Sequence, residues 1–434
     1  MIKQTKIKTP IQLPMKTKLI LSGLAALAFA GSAYADSIVN VTGATAFRKA
    51  AVDTIIASYG AGLTGVAQTG TAGTIGALQG ATSSIFKGTF PGVTGVTIIR
   101  CTFTGSVEGI RDLAVPQNQV FLPVTALVTG GTAYTGPNGS AARYGVPAAS
   151  ESAPAKFAFS DVYPTTSPYN VGGLTDTALG VIVFVPVANK GVSANLTNVT
   201  TQAFKALAGT GFQKLSLLTG VAADATNVYL TGRNDYSGTR STYLAESGFG
   251  VSLPVQQWKP TIVSGACSTL RLWPVGDGSN ASGVWNGDIA GNGGNSSGGT
   301  IATNLGATTL AVQLQNAAGG SIGGATAVNY LSILGFSDSN TAVNTNGAKA
   351  LSWNGVGVTP ASALGATDTA KITNGAYTMW GYEHLLYSGD LSAAQDQAFF
   401  DQITGNIGAN IGSAGLDISV MNVGRGDDGG LVAP

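Results

Sequence analysis

Gly232-Arg233-Asn234-Asp235-Tyr236-Ser237-Gly238-Thr239-Arg240-Ser241-Thr242-Tyr243-Leu244 is the stretch on which the reading of this chain turns. The apolar Val228-Tyr229-Leu230 just before it reads as a strand end, and an amphipathic run follows Ser237 at once. The order is therefore strand, polar turn, helix. The first turn of a helix carries N–H groups without an internal partner and the positive end of the macrodipole. Ser237 and Thr239 add hydroxyls there, Gly238 lets the backbone come close, and Arg233 supplies a planar cationic fork. Those parts suit a tetrahedral oxyanion. Ser-Gly-Thr also serves as an ordinary helix cap, so the neighbouring segments decide between the two uses.

Upstream, the same arrangement recurs. Ser37-Ile38-Val39-Asn40-Val41 alternates as a short strand, and Thr42-Gly43-Ala44-Thr45-Ala46 turns into a helix. Phe47, Ala50, Ala51, Ile55 and Tyr59 form its apolar stripe at helical spacing, up to Gly60. Val96 to Phe103 is a strand running into Thr104-Gly105-Ser106 and a short helix, Ile110 to Leu113. Lys156 to Phe159 is a strand with Ser160-Asp161 at its carboxyl end, after a Pro/Gly/Ser-rich surface insertion from Gly130 to Pro154. Ala178 to Val187 is a continuous apolar run, read as a strand buried on both faces in a parallel sheet covered by helices. Downstream, Gly276 to Gly324 is dominated by Gly, Asn, Ser and Ala; a flexible linker is the plain reading, with Thr308 to Leu314 inside it open as helix or strand. Val328 to Leu334 is a further strand, and Ser392 to Gln395 caps a helix carrying Phe399, Phe400 and Ile403.

Composition narrows the function classes. Lys+Arg at 22 against Asp+Glu at 21 leaves no basic surface for nucleic acid. At 434 residues, two lobes with separate cores are within reach. Lys16 and Lys18 precede an apolar run from Leu19 to Ala30, and Ala33-Tyr34-Ala35 is a cleavage pattern. Residues 1–35 are thus expected to be a signal peptide cut after Ala35, which places the chain in the periplasm or outside the cell without stable membrane insertion. Cys101 and Cys267 flank apolar runs, and their pattern fits two buried thiols or one disulfide. With one histidine, His384, multi-histidine zinc sites are excluded; no metal and no cofactor are expected.

In order, these segments resemble the periplasmic phosphate-binding protein family, the soluble receptors of ABC-type phosphate importers. Arg233, Ser237, Gly238 and Thr239 match its Arg-x-x-x-Ser-Gly-Thr motif. Val41 to Phe47 is similar to the first loop, with Thr45 and Ala46 as contacts; Phe103 to Gly109 resembles the Gly-Ser-Gly loop, which puts Ser106 on the ligand. Phe159-Ser160-Asp161 resembles the strand end whose aspartate accepts the proton of hydrogen phosphate. The resemblance implies a two-lobed α/β fold of the type II periplasmic-binding class, with a hinge and a ligand cleft between lobes. Lobe 1 would use residues 36–168 and 336–434, and lobe 2 residues 169–335 with the insertion at 276–324. It also implies inorganic phosphate or a similar oxyanion as ligand, an ABC permease as partner, and no catalysis.

Two departures from the family pattern open a second reading. Glu108 stands where a small residue is usual, and would oppose phosphate unless it turns to solvent, which is expected here. The Gly/Asn/Ser-rich insertions exceed what a compact receptor needs, so an extracellular structural or adhesive protein with a lost or changed ligand is the alternative. A hydrolase would require a base near Ser237, and only His384 or carboxylates could serve.

Overall fold

The computed structural model describes residues 36–70, 74–115, 117–127, 134–135, 142–146, 149–170, 172–277 and 287–434. The expected signal peptide and part of the 130–154 insertion lie outside them. Ser37–Gly43 (β1) is the centre of the first lobe and pairs in parallel with Val96–Thr102 (β2) and Phe157–Ser160 (β3). Parallel neighbours point their carboxyl ends the same way, so the three turns after them gather on one edge. Arg48–Tyr59 (α1) covers this sheet with the predicted stripe: Phe47, Ala50, Ala51 and Ile55 are wholly buried. A fully buried Phe or Ile contributes roughly 1.5–3 kcal/mol, so the stripe is what fixes this helix on the sheet. Ser106–Ala114 (α2) starts directly at the edge where the turns gather.

Leu174–Ala188 (β4), 15 residues long, joins the lobes. Its first part runs antiparallel to the late strand Trp380–Ser388, from Leu174 opposite Ser388 to Val183 opposite Trp380. Its last part, from Phe184 onward, changes partner. In the second lobe Asn227–Leu230 (β5) leads to the helix Gly238–Glu246 (α3), and Gly298–Leu305 (α4) precedes Val328–Gly335 (β6). Strands β5 and β6 are parallel, while β6 is antiparallel to Phe184–Ala188 of β4. Trp380–Ser388 (β7) then carries the chain into the first lobe beside β3, and Ala394–Asn410 (α5) closes over α1. The result is the two-lobed α/β architecture expected for the type II class, held by strands that pass between the lobes.

Three expectations need correction. The apolar run is buried from Leu179 to Val187, yet it lies antiparallel to every strand it pairs with. Its burial comes from crossing between two lobes covered by helices, which leaves the same pattern of residues as a central parallel strand. Residues 349–353, expected in the first lobe, pair instead with the second: Lys349–Ala350 with the end of β4, and Ser352–Trp353 with Asn198–Val199. The re-entry into lobe 1 is β7. The stretch expected as a flexible linker contains α4, capped by Ser297, whose Oγ accepts the Gly299 N–H at 3.2 Å. Cys101 and Cys267 are both buried free thiols. Among the described residues no helix is long and apolar enough to cross a membrane.

Candidate functional site

The turns after β1, β2 and β3 are stitched side by side by backbone bonds. The Ala44 N–H donates to the Phe159 carbonyl at 2.8 Å, and the Gly105 N–H to the Gly43 carbonyl at 2.9 Å. The Phe47 and Phe159 rings meet at 5.2 Å beneath them. Gly105 has φ +135°, and a Cβ there would collide with the Tyr236 carbonyl of the opposite lobe. The Val107 N–H donates to that same carbonyl at 3.0 Å. The start of α2 is therefore docked directly on the Arg233–Thr239 turn.

This docking brings the expected residues together from both lobes. The Ser106 hydroxyl donates to Asp161 Oδ1, and the Asp161 N–H points back to Ser106 Oγ at 3.3 Å. Thr239 Oγ1 lies 3.5 Å from Asp161 Oδ2, at the edge of hydrogen-bonding range. Gly238 abuts the Asp161 carboxylate and Ser106 Oγ, with no room for a Cβ. Arg233 Nη2 donates to Thr45 Oγ1 of the first lobe at 2.9 Å, and also to the Ser296 carbonyl at 2.9 Å. Arg233 Nε donates to the Asn295 carbonyl at 3.1 Å. Ser237 caps α3, its Oγ accepting the Arg240 N–H at 3.3 Å. The expected residues are buried, with Thr45 at 8% and Ala46 at 7%; of the carbonyl partners, Asn295 is half-buried and Ser296 is exposed.

Burial sets the electrostatics. It lifts the Asp161 carboxyl above the ordinary range, while the Ser106 hydrogen bond and the Arg233 charge pull it back. It lowers the Arg233 guanidinium, which Asp338 and then Asp161 hold up. Asp338 is likewise raised by burial and restrained by Arg48 and Arg233. Two carboxylates, Asp338 and Asp161, thus stabilise the Arg233 charge.

Several participants were not legible beforehand. Asn295, Ser296 and Asn292 belong to the supposed linker, yet they wall the site. Arg240 Nη1 donates to the Asn292 carbonyl at 2.6 Å, and Gln257 Nε2 to the carbonyls of Arg233 and Gly293 at 3.1 and 2.9 Å. One signal was available: Ser297-Gly298-Gly299-Thr300 repeats the small-residue helix start of Ser237-Gly238-Thr239. Glu108 turns neither into the cleft nor freely to solvent. It pairs with Arg111 at 2.8 Å, and Arg111 reaches across to the Tyr236 hydroxyl and ring, the latter at 4.7 Å. Glu108 therefore orients a cation that spans the lobes, and burial with the neighbouring Asp112 raises its carboxyl despite Arg111.

Behind Asp161 lies a second buried group of acids on β7 and the C-terminal tail. Neither oxygen of Glu383 has a hydrogen-bond partner, and burial followed by the Asp161 charge lifts it well above the carboxylate range. His384 Nδ1 lies 2.7 Å from Asp176 Oδ1, and its ring packs 4.5 Å from that of Tyr163. His384 Nε2 has no hydrogen-bond partner, so Ser237 and His384 form no pair. Asp428 Oδ2 accepts the Tyr163 N–H at 2.8 Å and the Thr166 hydroxyl at 2.6 Å, while Oδ1 is enclosed without a partner. Burial moves its pKa up to about 6.

A raised carboxyl pKa means that the folded state binds the proton more tightly than the unfolded chain. Asp428 is then expected to favour folding below its unfolded pKa of about 4 and to lose that contribution as pH rises through about 6. Denaturation of the wild type and Asp428→Asn at pH 4.5 and 7.5 checks this. The wild type is expected to lose about 2 kcal/mol more than the variant over that interval. Equal slopes would contradict it.

No protein-family model matches the chain, and no curated protein matches it by sequence. Solved structures do resemble it. One, described as the substrate-binding protein of a phosphate ABC transporter from Clostridium perfringens and solved with phosphate bound, is 12% identical at TM-score 0.46. That match covers 88% of this chain and 100% of that one. An ABC-type phosphate transport receptor from Vibrio cholerae is 11% identical at TM-score 0.41, covering 84% and 93%. OxyR from Corynebacterium glutamicum is 9% identical at TM-score 0.34, covering 90% and 71%. The likenesses are distant, and what this chain binds has to be argued from its own residues.

Proposed function

We propose that this chain is a periplasmic or secreted solute-binding protein. It holds inorganic phosphate, or a related tetrahedral oxyanion, between its lobes and hands it to an ABC permease or retains it outside the cell. It performs no chemistry on the ligand. The observation that carries this reading is the convergence of Thr45, Ser106 and Asp161 of one lobe with Arg233, Gly238 and Thr239 of the other. Water-excluded hydroxyls, the N-termini of α2 and α3 and a guanidinium can replace the hydration shell of an anion. Closing on the ligand from both sides gives it a different affinity for open and closed forms, which is the condition for ligand-driven closure.

Asp161 supplies the selectivity. A carboxylate opposes any anion unless the anion brings a proton, and hydrogen phosphate brings one where sulfate does not. Loss of a hydrogen bond to a charged group costs about 1.5–3 kcal/mol, so Asp161→Asn is expected to narrow the preference for phosphate over sulfate by about 10- to 100-fold. Competition calorimetry at pH 7 measures the ratio, and an unchanged ratio removes Asp161 from the binding role. The wider reading is tested by a calorimetric screen of phosphate, arsenate, phosphonates and sulfate on the chain from Asp36 onward. Absence of heat with every one of them would end it.

A further inference from the structure

A cavity of about 590 Å³ opens beside the anion clamp, and neither the Arg-x-x-x-Ser-Gly-Thr motif nor the strand-end turns account for it. It has one wall from each lobe. The first lobe contributes the turn and start of α1, with Thr45, Arg48 and Lys49; the second contributes the start of α4, with Ser297 and Thr303, and Asp338. The two sites share a partition. Thr45 lines the cavity and accepts the Arg233 hydrogen bond, and the carbonyl of Ser296, next to Ser297, accepts another. Asp338 and Arg48 both line the cavity, and the charges of Arg48 and Arg233 both act on the Asp338 carboxyl. Inorganic phosphate alone does not require this second space.

The lining states what fits. No aromatic side chain, and nothing aliphatic larger than Ala46, lines the cavity, so an apolar group would gain little there. Its groups are hydroxyls, amides, two cations and one carboxylate. A second phosphoryl group would meet Asp338, which is already packed against the start of α4: a Cβ on Gly298 would collide with its Oδ2. A hydroxyl group both donates and accepts, and so can satisfy Asp338 and Arg48 together. At this volume the cavity is in the range of small-ligand sites and admits a skeleton of several carbons.

We infer that the ligand is a phosphate monoester of a hydroxylated carbon skeleton, a phosphorylated sugar or polyol. The phosphoryl group occupies the clamp and the hydroxyls occupy the cavity at the mouth of the cleft. This rests on the oxyanion reading of the clamp and names the class of ligand for it.

The test is titration calorimetry of the full mature chain with inorganic phosphate, glycerol 1-phosphate, glucose 6-phosphate and unphosphorylated glucose. Two ordinary hydrogen bonds gained in the cavity place at least one ester about 10-fold or more below inorganic phosphate in Kd. Thr303 is exposed on the rim and touches nothing in the clamp, so Thr303→Trp narrows the cavity with the fold intact. It is expected to weaken the preferred ester by about 10-fold and to leave inorganic phosphate within about twofold. Inorganic phosphate binding as tightly as every ester, or Thr303→Trp sparing the ester, overturns the inference while the oxyanion reading stands. Failure of phosphate and esters alike overturns both.

Discussion

Arg233→Ala is expected to abolish tight oxyanion binding, with a loss of about 150- to 5,000-fold in affinity for phosphate. The magnitude follows from what the guanidinium does. It is about 1% exposed and donates to Thr45 of one lobe and to the carbonyls of Asn295 and Ser296 of the other. Its positive charge is also stabilised by the Asp338 and Asp161 carboxylates. Removing one partner of a buried charged cluster costs about 3–5 kcal/mol because the remaining charges stay buried without compensation. Arg233→Lys retains the charge and loses the fork, so it is expected to recover only part of the affinity. Calorimetry with phosphate on all three proteins measures this, alongside denaturation without ligand to separate folding from binding. Phosphate bound by Arg233→Ala within about threefold of the wild type would remove Arg233 from the site.

Gly238→Ala has the second large effect, and its cause is steric. The methyl group would be driven into the Asp161 carboxylate and the Ser106 hydroxyl, so the carboxylate has to leave its place. Its bond with Ser106 and its approach to Thr239 go with it. Over-packing of this kind typically costs 1–3 kcal/mol, and we expect a fall in stability of about that size together with about 100-fold weaker phosphate binding. Gly405 provides the contrast. It lies in the middle of α5 with nothing within 4 Å of a built Cβ. There the same substitution is expected to stabilise by roughly 0.5–1 kcal/mol through helix propensity alone. Chemical denaturation of the two variants side by side tests the sign: destabilisation by Gly405→Ala equal to that of Gly238→Ala would mean that contact with Asp161 is not the cause.

Much of the scaffold was legible because its causes are local. A β-alternation ending in a small-residue turn before a helical stripe names β1 and α1 without reference to anything distant, and the buried Phe47, Ala50, Ala51 and Ile55 answer to it. Arg233, Ser237, Gly238 and Thr239 are within seven residues of one another, so their grouping is nearly guaranteed by the chain itself. The direction of a strand's neighbours is another matter. Residues 178–187 carry the same apolar pattern whether they lie in a parallel sheet or cross antiparallel between lobes, since side-chain burial records coverage and not strand direction.

The turn chemistry is written in the residues alone: which strand ends present hydroxyls, an aspartate and bare N–H groups, and that an arginine stands ahead of Ser-Gly-Thr. It takes the folded chain to tie Arg233 to Thr45, 188 positions away, and to carbonyls of a Gly- and Asn-rich stretch. The fold also has Glu108 steer Arg111 across the cleft. Asp338 likewise joins the clamp to a second cavity only in three dimensions. The physical reason is the same in each case. Backbone carbonyls have no sequence signature, and an ion pair or cavity wall assembled from distant segments exists only when the sheet edges bring those segments together.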